Sequence, residues 1–206
     1  SKEILDAFGI SEELLPQVYE SSQAVGKITE ETAEQTGLSK NTVVVAGAGD
    51  QAAAAVGNGV IKPGCTSISL GTSGVVFTAV DTPVYDKAAR THTFCHAAEN
   101  MWHVMGVTQG CGLSVNWFRK NFAPSYSYAE LDEKAESITS DGIIYLPYLM
   151  GERTPHLDPN CRGSFTGISV NHNCFNFYRA VLEGVCFSLK DCCEVICESG
   201  IDLNTV

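Results

Sequence analysis

The part of this chain that most constrains its fold is an apolar run followed by a glycine turn and an alanine-rich segment. The run Val43–Ala46 is β-branched and shows no alternation, which is typical of a strand buried on both faces. Gly47 and Gly49 allow positive φ or a close backbone approach, and the four alanines that follow predict a helix. Asp50 and Gln51 are therefore expected at the start of a helix that follows a buried strand, where open α/β folds bind ligands.

Asp50 has two interpretations on these grounds. Its carboxylate can cap the helix by accepting backbone N–H groups, which is the commoner use of an aspartate at this position. Alternatively, it is a functional acid held on a rigid element. These residues alone favour the capping role. Motifs elsewhere in the chain are needed to distinguish it from the functional role.

Composition limits the class of protein. The chain has 206 residues, enough for one large or two small domains. Acidic side chains outnumber basic ones by 24 to 13, so the net charge of −11 argues against nucleic acid as a partner. No apolar run is long enough to cross a bilayer and no signal peptide is recognised, so no membrane partner is expected.

Nine cysteines, an odd number with no C-x-x-C pair, favour a reduced, cytoplasmic protein over a disulfide scaffold. His92 and His96 suggest a metal site. No second cluster of ligands has suitable spacing, however, so no metal-ligating residue is assigned.

Two β-like runs on either side of Gly71–Gly74 predict a hairpin. The backbone amides of the turn and the hydroxyls of Thr72 and Ser73 could surround an anion. An ordinary hairpin turn is the other interpretation, and for an isolated G-T-S-G it is the commoner one.

A helix is predicted over the second half of residues 106–122, where Leu113 and Asn116 lie on a helical period. Gly110 and Gly112 precede it. They either leave the helix N-terminus bare for a ligand or let the helix pack closely. The polar loop Gly151–His156 also has two interpretations, a functional loop and a solvated structural loop, and the sequence favours neither.

The longest predicted helix covers residues 173–199, and the alternation of strands and helices indicates an α/β fold.

The chain resembles the FGGY family of carbohydrate kinases. Four segments carry this resemblance in their order and sequence: Gly49–Gln51, Gly71–Gly74, Gly163–Ile168 and Asn176–Glu183. The resemblance covers nearly the whole chain.

Three further segments resemble the branch of that family that phosphorylates the 5-hydroxyl of D-xylulose: His92–His96, Trp102–Val107 and Gly151–His156. The resemblance implies ATP-dependent phosphorylation of a sugar, with Mg²⁺ accompanying ATP. It also implies the ribonuclease-H-like fold of the actin–hexokinase superfamily, in two lobes. Residues 1–61 would end the first, sugar-binding lobe, and residues 62–206 would begin the second, nucleotide-binding lobe.

The resemblance assigns roles residue by residue. Asp50 corresponds to the family's catalytic base and Gln51 to a sugar contact. Residues of the hairpin turn and of the later helix correspond to nucleotide contacts: Gly71, Thr72, Ser73, Gly112 and Asn116.

The family's aspartate-containing phosphate loop and its glycine-rich adenosine motif are not found in these residues. We therefore expect the chain to be part of a longer kinase, to be inactive alone, and to expose surface that would allow a homodimer. Two alternatives stay open: a kinase for another sugar or polyol, and a noncatalytic nucleotide-binding module.

Overall fold

The computed structural model describes residues 1–204, which form two compact units. The first comprises Ser1–Ala53 with the short segment Ala97–Glu99, and the second comprises the remainder of the described chain. Helix α3, Asp50–Gly57, begins in the first unit and ends in the second. Each unit is described on its own below.

The first unit is small and holds two short helices, a 3₁₀ turn and a two-stranded antiparallel sheet. Its elements in chain order are α1 (Lys2–Phe8), the 3₁₀ turn Glu12–Leu14, β1 (Ala24–Lys27), α2 (Glu30–Thr36) and β2 (Val43–Val45). The Thr29 hydroxyl caps α2 by accepting the Thr32 N–H at 3.2 Å, and Gly37 ends the helix in the left-handed region at φ 74°. Residue types at both ends of this helix therefore account for where it begins and stops.

The prediction of a strand at Val43–Ala46 is confirmed, but the prediction that both of its faces are buried is wrong. Val43, Val44 and Val45 are 54%, 39% and 51% exposed. The strand pairs only with β1, in an antiparallel ladder. Because this sheet has two strands and only short helices accompany it, the described residues cover neither face of β2.

The second unit holds a four-stranded sheet, a small two-stranded sheet and three helices. Its elements are β3 (Thr66–Leu70), β4 (Gly74–Val80), β5 (His92–Cys95), β6 (Trp102–Thr108), α4 (Gly112–Phe122), α5 (Tyr128–Glu136), β7 (Ile144–Leu146), β8 (Ser164–Thr166) and α6 (Cys174–Glu198). The larger sheet has the order β3-β4-β6-β5, and every neighbouring pair is antiparallel. The hairpin predicted around Gly71–Gly74 is thus confirmed.

The core of the second unit lies between this sheet and α6. One face of α6 is buried along its length, including Val181, Val185 and Leu189. A side chain at Gly106 of β6 would meet the Cys192 Cβ at 2.7 Å, so glycine here lets the helix lie close to the sheet. The sheet and α6 together form the rigid base on which the β3–β4 turn and the start of α4 are carried.

Several global features can be stated for residues 1–204. All nine cysteines are free. No group of three or more His, Cys, Asp or Glu side chains is arranged to hold a metal ion. Within the same residues, no helix combines the length and the apolar character that a membrane crossing needs.

Candidate active site

The turn between β2 and α3 presents Asp50 in the first unit. Gly47 lies in the left-handed region at φ 79°, and its N–H donates to the Ser21 carbonyl at 2.9 Å. The neighbouring Ala46 N–H donates to the Gln23 carbonyl at 3.0 Å. The backbone of the turn is therefore fixed on both sides of the bend, and the predicted need for glycine at position 47 is confirmed.

Asp50 is the first residue of α3, and its side chain is exposed. The first intrahelical bond runs from the Ala53 N–H to the Gly49 carbonyl at 2.9 Å, which places Gly49 at the N-cap. The interpretation of Asp50 as the N-cap residue is therefore wrong by one position. Its Oδ1 accepts the adjacent Gln51 N–H at 2.7 Å, which orients the carboxylate on a rigid helix start.

The turn between β3 and β4 presents two hydroxyl groups in the second unit. Leu70 pairs with Gly74, so the turn is the three residues Gly71, Thr72 and Ser73. The Gly71 N–H donates to the Ser73 carbonyl at 3.1 Å, which closes the turn. The Thr72 side chain is exposed and that of Ser73 is half-buried. Such a turn can hold an anion with hydroxyl donors that are already in place.

The start of α4 is bonded to this turn. The Gly112 N–H donates to the Gly71 carbonyl at 2.9 Å, and the Leu113 N–H donates to the Thr72 carbonyl at 3.1 Å. A Cβ added at Gly112 would lie 2.7 Å from the Gly71 carbonyl oxygen. Of the two sequence interpretations, close packing is therefore correct and a bare helix N-terminus is wrong, because the turn itself occupies these amides.

An apolar groove of about 800 Å³ lies beside the turn and the start of α4. It is lined by residues of β3, α4, α5 and α6: Ile68, Leu70, Cys111, Gly112, Val115, Tyr128, Leu182, Val185, Cys186 and Leu189. The Tyr128 hydroxyl donates to Asn116 Oδ1 at 3.2 Å, so Asn116 is tied to one wall of this groove. A groove of this size and polarity is of the kind that small organic ligands occupy.

The structure thus groups five of the seven predicted site residues in the second unit: Gly71, Thr72, Ser73, Gly112 and Asn116. Asp50 and Gln51 form a separate feature, since both belong to the first unit.

The loop Gly151–His156 contains a residue that the sequence analysis did not single out. Glu152 is 2% exposed, and its Oε1 accepts the N–H groups of Gln109 at 2.8 Å and Arg153 at 2.7 Å. Its Oε2 accepts the Thr108 hydroxyl at 2.7 Å. The available signal was an acid two residues after the apolar run that ends at Met150, which is weak because most acids in such charged loops are solvated.

Comparison with known proteins agrees with the sequence motifs. The N-terminal domain of the FGGY family of carbohydrate kinases matches residues 1–57, and the C-terminal domain of the same family matches residues 66–206. The chain therefore belongs to the FGGY family of carbohydrate kinases, and the predicted family and α/β actin–hexokinase fold class are confirmed.

Among curated relatives, the xylulose kinase of Bacillus subtilis (strain 168) is 39% identical over 208 residues, covering 100% of this chain and 42% of the relative. The xylulose kinase of Lactococcus lactis subsp. lactis (strain IL1403) is 41% identical over 95% of this chain and 39% of its own length. The crystal structure of a "xyloylose kinase" from Brucella ovis superposes with a TM-score of 0.90 at 37% identity, over 99% of this chain and 42% of that one. The chain thus spans about two fifths of the length of these relatives.

Proposed function

We propose that the natural protein containing this chain transfers the γ-phosphoryl group of ATP to a sugar hydroxyl, converting D-xylulose to D-xylulose 5-phosphate. The observation that carries this proposal is the exposed Asp50 carboxylate, fixed at the start of α3 by the Gln51 N–H. Its position matches the family's catalytic base, and the curated relatives quoted above are named xylulose kinases.

Asp50 would accept the proton of the attacking hydroxyl. A sugar hydroxyl is a weak nucleophile, and phosphoryl transfer requires its oxygen to lie in line with the γ-phosphorus. A positioned carboxylate both orients the hydroxyl and takes its proton, which is typically worth about 10²–10⁴-fold in rate. The half-buried Gln51 would bind the sugar, because its amide both donates and accepts hydrogen bonds.

The β3–β4 turn would bind phosphate. The exposed Thr72 hydroxyl would donate to a phosphate oxygen, with Gly71 and Ser73 shaping the turn around it. Gly112 and Asn116 would lie on the nucleoside side, because both are associated with the walls of the apolar groove. The groove's apolar lining suits the face of a base better than it suits phosphates.

Mg²⁺ would be held mainly by ATP. No cluster of three potential ligands exists among residues 1–204, so the chain's contribution would be the single Asp50 carboxylate acting through water. When bound, the ion neutralises charge on the transferred phosphoryl group.

The same proposal includes the domain division and the setting. Residues 1–61 would belong to a sugar-binding lobe and residues 62–206 to a nucleotide-binding lobe of a cytoplasmic enzyme. A homodimer is compatible with the proposal but is not required by it. We also propose that the 206 residues alone do not catalyse the reaction, since they correspond to about two fifths of the length of the relatives. An ADP-release assay on the isolated chain tests this, and normal turnover would contradict it.

The test of function is a sugar panel on the natural protein with a coupled ADP-release assay. D-xylulose is expected to give the highest kcat/KM, compared with ribulose, gluconate and glycerol. A higher kcat/KM for one of these other compounds would support a kinase activity but contradict the assignment of D-xylulose as the substrate. ATP binding with no phosphorylation of any sugar would instead favour a noncatalytic nucleotide-binding module.

A further inference from the structure

Glu152 joins two segments of the second unit, its own loop and the end of β6, although it lies outside the turn and the groove. Its two carboxylate oxygens accept three hydrogen bonds of 2.7–2.8 Å, from the Thr108 hydroxyl and from the N–H groups of Gln109 and Arg153. At 2% exposure, the group has little access to water. A buried carboxylate with three donors is a strongly directional anchor, because each lost partner would be left unsatisfied.

One of these bonds leads to the end of the β3–β4 turn. Thr108 is the last residue of β6 and pairs with Gly74, the residue that follows the turn. A Cβ added at Gly74 would lie 2.9 Å from the Thr108 Cγ2, so this side chain packs against the turn's closing residue. The Ser188 hydroxyl of α6 donates to the Thr108 Oγ1 at 2.5 Å. Glu152 and α6 thus fix Thr108 together.

A second bond leads to the beginning of the same turn. The Gln109 N–H, held by Glu152, is followed after two residues by Gly112, whose N–H donates to the Gly71 carbonyl at 2.9 Å. The Ser114 hydroxyl holds the Gly110 carbonyl within this short connection at 2.5 Å. The connection has little freedom, since an added Cβ at Gly110 would overlap the Pro147 carbonyl.

We propose that Glu152 is a positioning residue for the nucleotide phosphates, acting through both ends of the β3–β4 turn. Glu152 fixes the position of Gly74 through Thr108, and it fixes the position of Gly71 through the Gln109–Gly112 connection. The identity of the bound group rests on the function proposed above, whereas the control of the turn rests on the contacts alone. In Glu152→Gln the amide NH₂ would face the Thr108 hydroxyl, which would have to turn and accept instead of donate, and the charge that strengthens all three hydrogen bonds would be lost.

The experiment compares Glu152→Gln, Thr108→Val and Thr108→Ser with a stability control, Leu131→Ala, in a different core cluster. In the natural protein, KM is measured separately for ATP and for the sugar, and the melting temperature is recorded. Hydrogen exchange of the amides at 71–74 and 109–113 is followed in the same variants, which needs no activity. Thr108→Val tests the contact should Glu152→Gln fail to fold.

We expect Glu152→Gln and Thr108→Val to raise the KM for ATP about tenfold while the sugar KM stays within about twofold, because a small displacement of a binding group is costly. Exchange at 71–74 and 109–113 should accelerate in both variants. Thr108→Ser keeps the hydroxyl but loses the buried Cγ2 that packs against Gly74, so the KM for ATP should rise less in Thr108→Ser than in Thr108→Val. Leu131→Ala should lower the melting temperature without changing the KM for ATP or the exchange at 71–74 and 109–113.

Equal changes in both KM values, or unchanged exchange at 71–74 in Glu152→Gln and Thr108→Val, would overturn the positioning role. The positioning role would also be overturned if Leu131→Ala, at a similar melting temperature, raised the KM for ATP as much as Glu152→Gln and Thr108→Val do. If the wild-type protein phosphorylates no sugar, the proposed function fails. Exchange at 71–74 still decides the role of Glu152 in that case.

Discussion

The Gly112 N–H donates a hydrogen bond of 2.9 Å to the Gly71 carbonyl and so joins the start of α4 to the β3–β4 turn. The turn is consequently not an isolated hairpin end. Its geometry depends on a helix that begins more than thirty residues later in the chain, and Leu70 and Gly112, next to this junction, both line the apolar groove.

Replacing Gly112 with alanine should disturb this junction. The added Cβ would lie 2.7 Å from the Gly71 carbonyl oxygen, so the turn or the helix must shift. We expect a loss of about 1–3 kcal/mol in the free energy of unfolding, together with weaker ATP binding. Urea unfolding and nucleotide titration measure the two effects.

The matched control is Gly26→Ala in β1, where an added Cβ meets nothing within 4 Å. This variant should leave nucleotide binding unchanged. If Gly112→Ala binds ATP as tightly as wild type, the junction does not shape the phosphate site.

Thr72→Val should weaken nucleotide binding without affecting the fold. The side chain is exposed, so its removal leaves no buried group unpaired. A hydroxyl that donates to a charged phosphate is worth about 1.5–3 kcal/mol, which corresponds to a loss of roughly 10- to 100-fold in affinity for ATP. Isothermal titration of the natural protein measures it. Thr82→Val, at another exposed threonine, is the control, and equal affinities in the two variants would rule out a phosphate contact from Thr72.

Stability should fall in mild acid because of His103. This ring is 4% exposed and stacks on Phe77 with a centroid distance of 4.2 Å. Burial, with a smaller contribution from neighbouring His96, lowers the pKa of His103 to about 4, below the value of about 6.5 expected in the unfolded chain. The unfolded state therefore binds more protons between these values, so the stabilisation is complete above pH 6.5 and is lost as the pH falls toward 4.

We expect the free energy of unfolding to drop by about 3 kcal/mol between pH 7 and pH 4 from this residue. Urea unfolding at several pH values measures the slope, which should be smaller in His103→Phe than in the wild-type protein. Some slope should persist in His103→Phe, because burial also lowers the pKa of His96. An identical slope in wild type and His103→Phe would contradict the assignment.

Local signals in the sequence were sufficient for much of the fold. The helix cap at Thr29, the hairpin at Gly71–Gly74 and the buried face of α6 all follow from residue type and spacing over a few turns. The exposure of β2 did not follow, because the apolar run Val43–Val45 carries no information about whether other segments cover it.

Contacts between distant segments account for the rest of what the sequence left undecided. The sequence could not choose between two roles for Gly112, because the choice depends on a carbonyl 41 residues earlier. Glu152 was overlooked for the same reason, since its partners Thr108 and Gln109 lie 44 and 43 residues away. Asp50 and Thr72 were identified as candidates by motif resemblance, since neither residue has a local sequence signal that distinguishes it from a helix start or an ordinary turn.

The most direct test of the proposed mechanism is the turnover of Asp50→Asn in the natural protein, with D-xylulose and ATP as substrates. Asparagine keeps the shape but cannot accept the hydroxyl proton, and because Asp50 is exposed the melting temperature should not change. We predict that kcat falls at least 100-fold while the affinity for ATP is retained. A variant that keeps more than about a tenth of the wild-type rate would contradict the assignment of Asp50 as the catalytic base.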